Sequence, residues 1–283
     1  MTFRSKVTDE AWQYKIRVQK EKQWIESGKY RFWEDLDLSL KKAIVKEVDR
    51  KTAEKIILEY EWLGDMAVTN KFYGIFFGMF CGGVICINTN GQATFGEKQF
   101  GLKKGDVSYF ARGACPFWTP IGTASKILSF ALKLEKQRGA KLAIAFADND
   151  AGEYGTVYQA TNWIYLGKNG SNTSYQLTKN NKILDTRTYC HSAKNNKITT
   201  TKYIQLLECQ GWKKQYANPK GRYVFILADE PEKTRIYNTI KHLIKPYPKR
   251  PNAALPHKGE GEALQPSGAF DSTVPLNLSE IKQ

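Results

Sequence analysis

Three short stretches hold the residues best suited to chemistry. In FADNDAGEYGTVYQATNWIYLG, residues 146–167, Asp148 follows a neutral apolar run. A carboxylate so placed is partly desolvated and can accept a proton or hold a cation, although an Asp in DNDAG can equally cap a turn. Tyr158 can donate a hydrogen bond or a proton, stack on a base, or fill a core. Asn162 and Trp163 suit the edge and face of a nucleobase, and Trp is also ordinary core material. Arg112, in ARGACP, offers a guanidinium for phosphate or developing negative charge; a surface salt bridge is the plainer alternative. Gly122, Thr123, Ser125 and Lys126, in GTASK, stand where a helix begins, so free N–H groups there can bind an anion of a cofactor. Thr and Ser are also common N-caps. GTASK fits neither the Walker loop nor a dinucleotide glycine fingerprint. Cys115 has no identifiable His partner and reads as a buried thiol.

These residues need elements to position them. Spacing predicts a charged helix over about 8–27 ending at Gly28, and a second helical region from Ser39 whose clearest part carries Ala53, Ile56, Ile57 and Tyr60 on one face before Gly64. FYGIFFGMFCGGVICIN reads as a hairpin around Cys81, Gly82 and Gly83. DVSYFARGACPFW is a strand, followed by a helix from Gly122 to about Arg138 and by KLAIAFA, a short run typical of a strand buried on both faces. IYLG, SYQLT and KILDTRTY follow as strands, the last two joined at a polar turn over 179–182. A helix around Tyr203–Cys209, the strand RYVFIL and a short final helix complete the order. This order predicts an α/β fold with a mixed, mostly antiparallel central sheet flanked by helices, as in acyltransferase-like folds. There two central strands splay apart, and the strand ends bring Arg112, Asp148 and the GTVYQATNW stretch together. The division expected is an accessory helical extension over 1–38, a catalytic domain over 39–245 and a disordered polar tail over 246–283.

Composition narrows the partners. With 43 Lys and Arg against 28 Asp and Glu, the formal charge is +15, which attracts a polyanion. Nucleic acid is the partner expected on charge alone, and a merely solvated basic surface is the plainer alternative. No long apolar span supports a membrane partner. Five widely spaced cysteines without a CxxC pair fit a reducing compartment, and three histidines leave too few ligands for a transition-metal cluster, so no metal ligands are assigned.

The 146–167 block resembles the signature of Mom-family DNA modification proteins, with ARGACPFW, the crossover helix ending in ALKLE, and GRYVFIL in the same order. The similarity covers roughly residues 50–230. The resemblance implies a GNAT-like acyltransferase fold and conversion of adenine to an N6-carbamoylmethyl derivative that shields phage DNA from restriction, in the host cytoplasm. It implies Asp148, Tyr158 and Arg112 as the catalytic trio. The helix-ending His-Tyr pair of the family is here Glu61 and Trp62 in EYEWLG, a departure. Acetyl coenzyme A follows from fold analogy alone, and the donor stays open. Two rival readings are an N-acyltransferase acting on a protein or small-molecule amine and a DNA-binding protein without catalysis.

Overall fold

Interruptions of the apolar runs by turn residues and caps set the order of elements. The computed structural model describes residues 11–169, 175–179, 182–184, 186–216 and 219–249. In chain order these form α1 (Trp12–Glu26), β1 (Ile44–Glu47), α2 (Arg50–Tyr60), β2 (Lys71–Phe77), β3 (Phe80–Asn88), α3 (Ala93–Phe100), β4 (Val107–Ala114), α4 (Thr123–Gln137) and β5 (Leu142–Ala147). There follow α5 (Thr156–Gln159), β6 (Ile164–Asn169), β7 (Tyr175–Lys179), β8 (Lys182–Leu184), α6 (Thr186–Asn195), α7 (Thr200–Cys209), β9 (Lys213–Tyr216), β10 (Lys220–Ile226) and α8 (Glu232–Ile240). The described residues fall into two compact units. One comprises 11–169 and 220–249, the other those between 175 and 219.

The first unit is built on a seven-stranded sheet in the order β1-β2-β3-β4-β5-β10-β6. All neighbours in it are antiparallel except β4 and β5. A parallel pair needs a crossover connection, and α4 supplies it. Ile127, Leu128, Ala131, Leu132 and Glu135 recur at helical spacing and bury one face of α4. Together with Ala53, Ile56, Ile57 and Tyr60 of α2 they belong to one core. Phe100 of α3 and Ile236 and Ile240 of α8 join a second core with Val107, Leu142, Ile144 and Val224. With its residues divided between these two cores, β5 reads as an unbroken apolar run. The fold class expected from the sequence, a mixed and mostly antiparallel sheet of acyltransferase-like order, is the fold found.

Several local readings change. The second helix begins not near Ser39 but after Asp49, whose carboxylate accepts the Thr52 N–H at 2.7 Å. The residues before it instead pair with β2 as an edge strand. The hairpin turns at Gly78 and Met79, while Gly82 and Gly83 lie inside β3. Gly82 is needed for close packing, since a Cβ there would come within 2.6 Å of the Phe77 ring. TRTY belongs to α6 rather than to a strand, and α3 and β9 had no counterpart in the sequence reading.

The second unit carries the sheet β8-β7-β9 and the helices α6 and α7. Leu177, Leu184, Tyr189, Ala193, Tyr203, Ile204, Leu207 and Trp212 form its own core. The sequence reading did not set this segment apart. In the first unit, α1 is tied down by Arg17, whose Nη2 donates to the Phe117 carbonyl at 3.1 Å, and by Trp24 packed edge-on against Phe32 and Trp33. The opening residues of the segment read as a tail are also held: the Tyr247 hydroxyl donates to the Trp163 carbonyl at 2.6 Å. Residues 1–10 and the rest of the tail, from 250 on, lie outside the described residues.

A buried carboxylate ties β2, β4 and α4 together. Glu135 is fully buried and accepts from the Tyr73 hydroxyl at 2.7 Å, from Arg138 Nη2 at 2.7 Å and Nε at 3.0 Å, and from the Ser108 hydroxyl. Burial pushes its pKa up, but the bonds from Arg138, Ser108 and Tyr73 together hold it below the ordinary value. Glu135→Ala should therefore cost roughly 3–5 kcal/mol in chemical denaturation, because it strands the donors around it. The depressed pKa gives stability that is present above the unfolded carboxylate value of about 4.3 and is lost as pH falls through the folded value. The advantage of the wild type over Glu135→Gln should shrink in acid below that point.

Candidate active site

β4 and β5 pair only from Val107–Leu142 to Phe110–Ala145, although β4 continues to Ala114 and β5 to Ala147. Beyond Phe110 and Ala145 the strands part. At the same level the β3–β4 register steps from Ile87–Phe110 to Cys86–Arg112, leaving Ala111 as an extra residue. Such a bulge re-aims the side chain that follows it, here Arg112.

Arg112 is buried, and its guanidinium is anchored on the loop after α2. Nη2 donates to Asp65 Oδ1 at 2.8 Å, Nε to the Asp65 carbonyl at 3.1 Å, and Nη1 to the Ala111 carbonyl at 2.9 Å. Glu61 Oε1 stands 3.9 Å from Nε. Glu61 is itself buried and accepts the N–H groups of Leu63 at 2.8 Å and Gly64 at 3.1 Å. Burial pushes its carboxyl up to about 7; Arg112 opposes this, while the charges of Glu153 and Asp65 add to it.

At the end of β5, Asp148 Oδ2 pairs with Lys220 Nζ at 2.6 Å, which links it to the first residue of β10. The Asp148 carbonyl accepts from the N–H of Glu153 at 3.0 Å, folding the DNDAGE loop back on itself. Glu153 is raised to about 7 by burial and by the Asp148 charge, against the pull of Lys220 and a side-chain hydrogen bond from Trp62. Gly155, at φ +66°, turns the chain into α5 beneath Tyr223; a Cβ there would lie 2.5 Å from that ring. Only glycine satisfies both demands. The turn delivers Tyr158 to a cluster with Trp163 at 5.1 Å and Tyr223 at 5.2 Å between ring centroids. Burial, with the Glu153 charge next, raises the Tyr158 pKa and keeps the phenol protonated.

Glu153, which the sequence reading missed, is tied electrostatically to two of the expected trio, Asp148 and Tyr158, and to Arg112 only by way of Glu61. Glu153 acts electrostatically on Tyr158 and on Glu61, feels Asp148 itself, and lies within hydrogen-bond reach of Trp62. Glu61 and Trp62 were visible only as a departure from a His-Tyr pair, and Glu153 carried no signal beyond its place in the block. Other expected residues fall elsewhere. Trp163 is fully buried, packed against Phe110, Tyr158 and Phe225, and has no free face for a base. Asn162 is exposed, in the left-handed region at φ 61°. At the start of α4 the Thr123 hydroxyl donates to the Pro120 carbonyl at 2.7 Å. Lys126 donates to the carbonyls of Leu40 and, at 2.9 Å, Ala43. A Cβ at Gly122 would meet the Leu40 side chain at 3.1 Å. Lys126 is therefore a tie between α4 and the chain entering β1, which corrects its assignment to a cofactor anion; Ser125 is half-buried in the same first turn.

A separate cluster of Arg222 and aromatic rings lies on β4, β5, β10 and α3. Arg222 of β10 pairs in register with Phe146 of β5, and its guanidinium lies 4.0 Å from the Phe95 ring centroid. Its Nε is buried without a hydrogen-bond partner, and burial lowers its pKa to about 10. Tyr109 meets Phe146 edge-on at 5.8 Å. All four side chains are half-buried.

Parted parallel strands joined by a crossover helix within a mostly antiparallel sheet define an acyltransferase-like α/β fold. The chain belongs to the Mom protein family, whose model matches residues 42–249. No curated protein matches it. Among solved structures, it is similar to a Salmonella typhimurium protein with acetyl-CoA, described as an acetyltransferase, at 8% identity and TM-score 0.39 over 67% of this chain and 96% of that one. It is also similar to a Bacillus subtilis acetyltransferase in complex with CoA, at 9% identity and TM-score 0.37 over 66% and 98%. A Staphylococcus aureus N-acetyltransferase gives 10% identity and TM-score 0.37 over 66% and 99%. The strand order, not these low overall scores, carries the fold.

The raised Glu61 pKa has a consequence for stability. A carboxyl that binds its proton more tightly when folded stabilises the fold below the unfolded value, and this contribution falls away as pH rises through the folded value. Between pH 5 and pH 8 the wild type should lose stability relative to Glu61→Gln, read as converging or crossing denaturation midpoints.

Proposed function

We propose that the chain transfers a group to the exocyclic N6 amine of adenine in DNA, giving an N6-carbamoylmethyl-type derivative that protects phage DNA from restriction. Family membership supports the acceptor, and the net charge of +15 supports a polyanionic substrate. The observation that carries the chemistry is the carboxyl of Glu153, raised to about 7 beside Asp148 and Tyr158.

The adenine amine is a weak nucleophile because its lone pair is delocalised into the ring, so it must be oriented and relieved of a proton as it attacks. A general base works best with a pKa near the operating pH. Glu153 meets that condition, and Asp148, paired with Lys220, helps set it. A bond forms from N6 to the donor carbon, the donor's bond to its leaving group breaks, and the N6 proton passes to the carboxylate. Tyr158, held protonated, supplies a hydrogen-bond donor. Arg112 uses three of its five N–H donors on Asp65 and Ala111, so two remain for negative charge on the donor. A duplex hides the amine, so the base must be flipped or taken from single-stranded DNA.

At the start of α4, Lys126 is tied to the backbone carbonyls of Leu40 and Ala43 rather than free for the diphosphate of coenzyme A. No step is therefore assigned to acetyl coenzyme A, and the donor is left unnamed.

Nucleoside mass spectrometry of DNA from cells making the chain should reveal the modified adenine. Glu153→Gln, Asp148→Asn and Tyr158→Phe should lower its rate of formation, Glu153→Gln by about 10²–10⁴-fold, with thermal unfolding little changed. Unmodified adenine alongside a modified protein or small-molecule amine would favour the general acyltransferase. Salt-sensitive DNA binding with no covalent product would favour a binding protein.

A further inference from the structure

The unit between 170 and 219 has no place in the chemistry just described, yet its charge is lopsided. It contains eight Lys and Arg against two Asp and Glu. Glu208, the one carboxylate among its described residues, is already paired with Lys214 at 2.9 Å. Lys194, Lys197 and Lys202 are all exposed, and they gather where α6 ends and α7 begins.

That corner is rigidly built. The Lys197 N–H donates to the Lys194 carbonyl at 3.0 Å and the Ile198 N–H to the Ala193 carbonyl at 3.1 Å, which closes α6. Two residues on, Thr199 caps α7 by accepting the Lys202 N–H at 3.2 Å. Tyr189, Ala193, Tyr203, Ile204 and Leu207 bury the inner sides of both helices. The closing position of α6 needs a positive φ, which favours glycine or asparagine, yet Lys197 occupies it at φ 53°. An exposed lysine kept in a strained conformation, where glycine would relieve it, points to a use for its charge. The chain leaves the large sheet at Asn169 and returns at Lys220; these two residues are paired in register, and Lys220 also holds Asp148.

We infer that the corner of α6 and α7 bearing Lys194, Lys197 and Lys202 binds the phosphate backbone of duplex DNA. The inserted unit thereby adds a phosphate-binding surface of its own. This rests on the reading of DNA as the substrate. Lysines and a helix amino terminus on a rigid frame are the usual contacts to phosphate, and they set position rather than sequence preference.

The test is the affinity of the full chain for a labelled duplex across a range of salt. With each lysine replacing one counterion, the triple variant Lys194→Gln, Lys197→Gln, Lys202→Gln should flatten the slope of log affinity against log salt by about 2–3. The single variant Lys197→Gly should raise the thermal midpoint while weakening DNA binding, opposite signs that a purely structural role would not give. A wild type that binds duplex in a salt-dependent way, with both variants binding as tightly and as steeply, would overturn the inference and leave the DNA reading standing. A wild type with no salt-dependent duplex binding would overturn the DNA reading itself. Stronger binding to structured RNA, lost in the triple variant, would overturn the choice of duplex.

Discussion

The pairing of β4 with β5 stops short of the strand ends, and the site depends on that gap. Had the ladder run on past Phe110 and Ala145, the ends of both strands would be closed by backbone hydrogen bonds. Because β4 and β5 are parallel, the connection between them must cross over the sheet, which sets α4 on the core that α2 also enters. The bulge at Ala111 then carries β4 away with Arg112 re-aimed. The strand ends of α/β sheets are where ligands commonly bind, and the candidate site lies where these two neighbours part.

The groups around that gap are tuned by one another more than by sequence identity. Burial alone would neutralise Glu61 and Glu153 deeply; Arg112 and Lys220 pull them back to near neutral pH. Asp148 is paired with Lys220 and raises Glu153. Under the proposed function, such a carboxyl takes the proton at neutral pH beside a phenol that retains its own.

The sheet was legible in the sequence because its strands are marked by simple patterns. LAIAFA is apolar throughout and is buried on both faces, and the Ala53, Ile56, Ile57 and Tyr60 stripe is a helix with one buried side. Boundaries were less so: a cap such as Asp49 competes with continued helical pattern, and Gly82 reads as a turn until the Phe77 ring above it is seen. Of the candidate site, Asp148, Tyr158 and Arg112 came from the family resemblance, their residues alone leaving cap, core and salt-bridge readings open, and Glu153 became visible only once the fold set it beside Asp148. Trp163 and Lys126 misled for the opposite reason, since indole suits core as well as base and an ammonium suits a carbonyl as well as a phosphate. The inserted unit was hidden because its strands and helices follow the same local patterns as the sheet around it.

Whether the gap really holds a coupled pair of tuned carboxyls can be measured without knowing the donor. Carbon-13 NMR titration of the glutamate carboxyls should find two, Glu61 and Glu153, titrating near pH 7, and Asp148→Asn should move Glu153 down toward the ordinary value while Glu61 shifts little. Glutamates that all titrate in the ordinary carboxylate range, unmoved by Asp148→Asn, would contradict the account of the site.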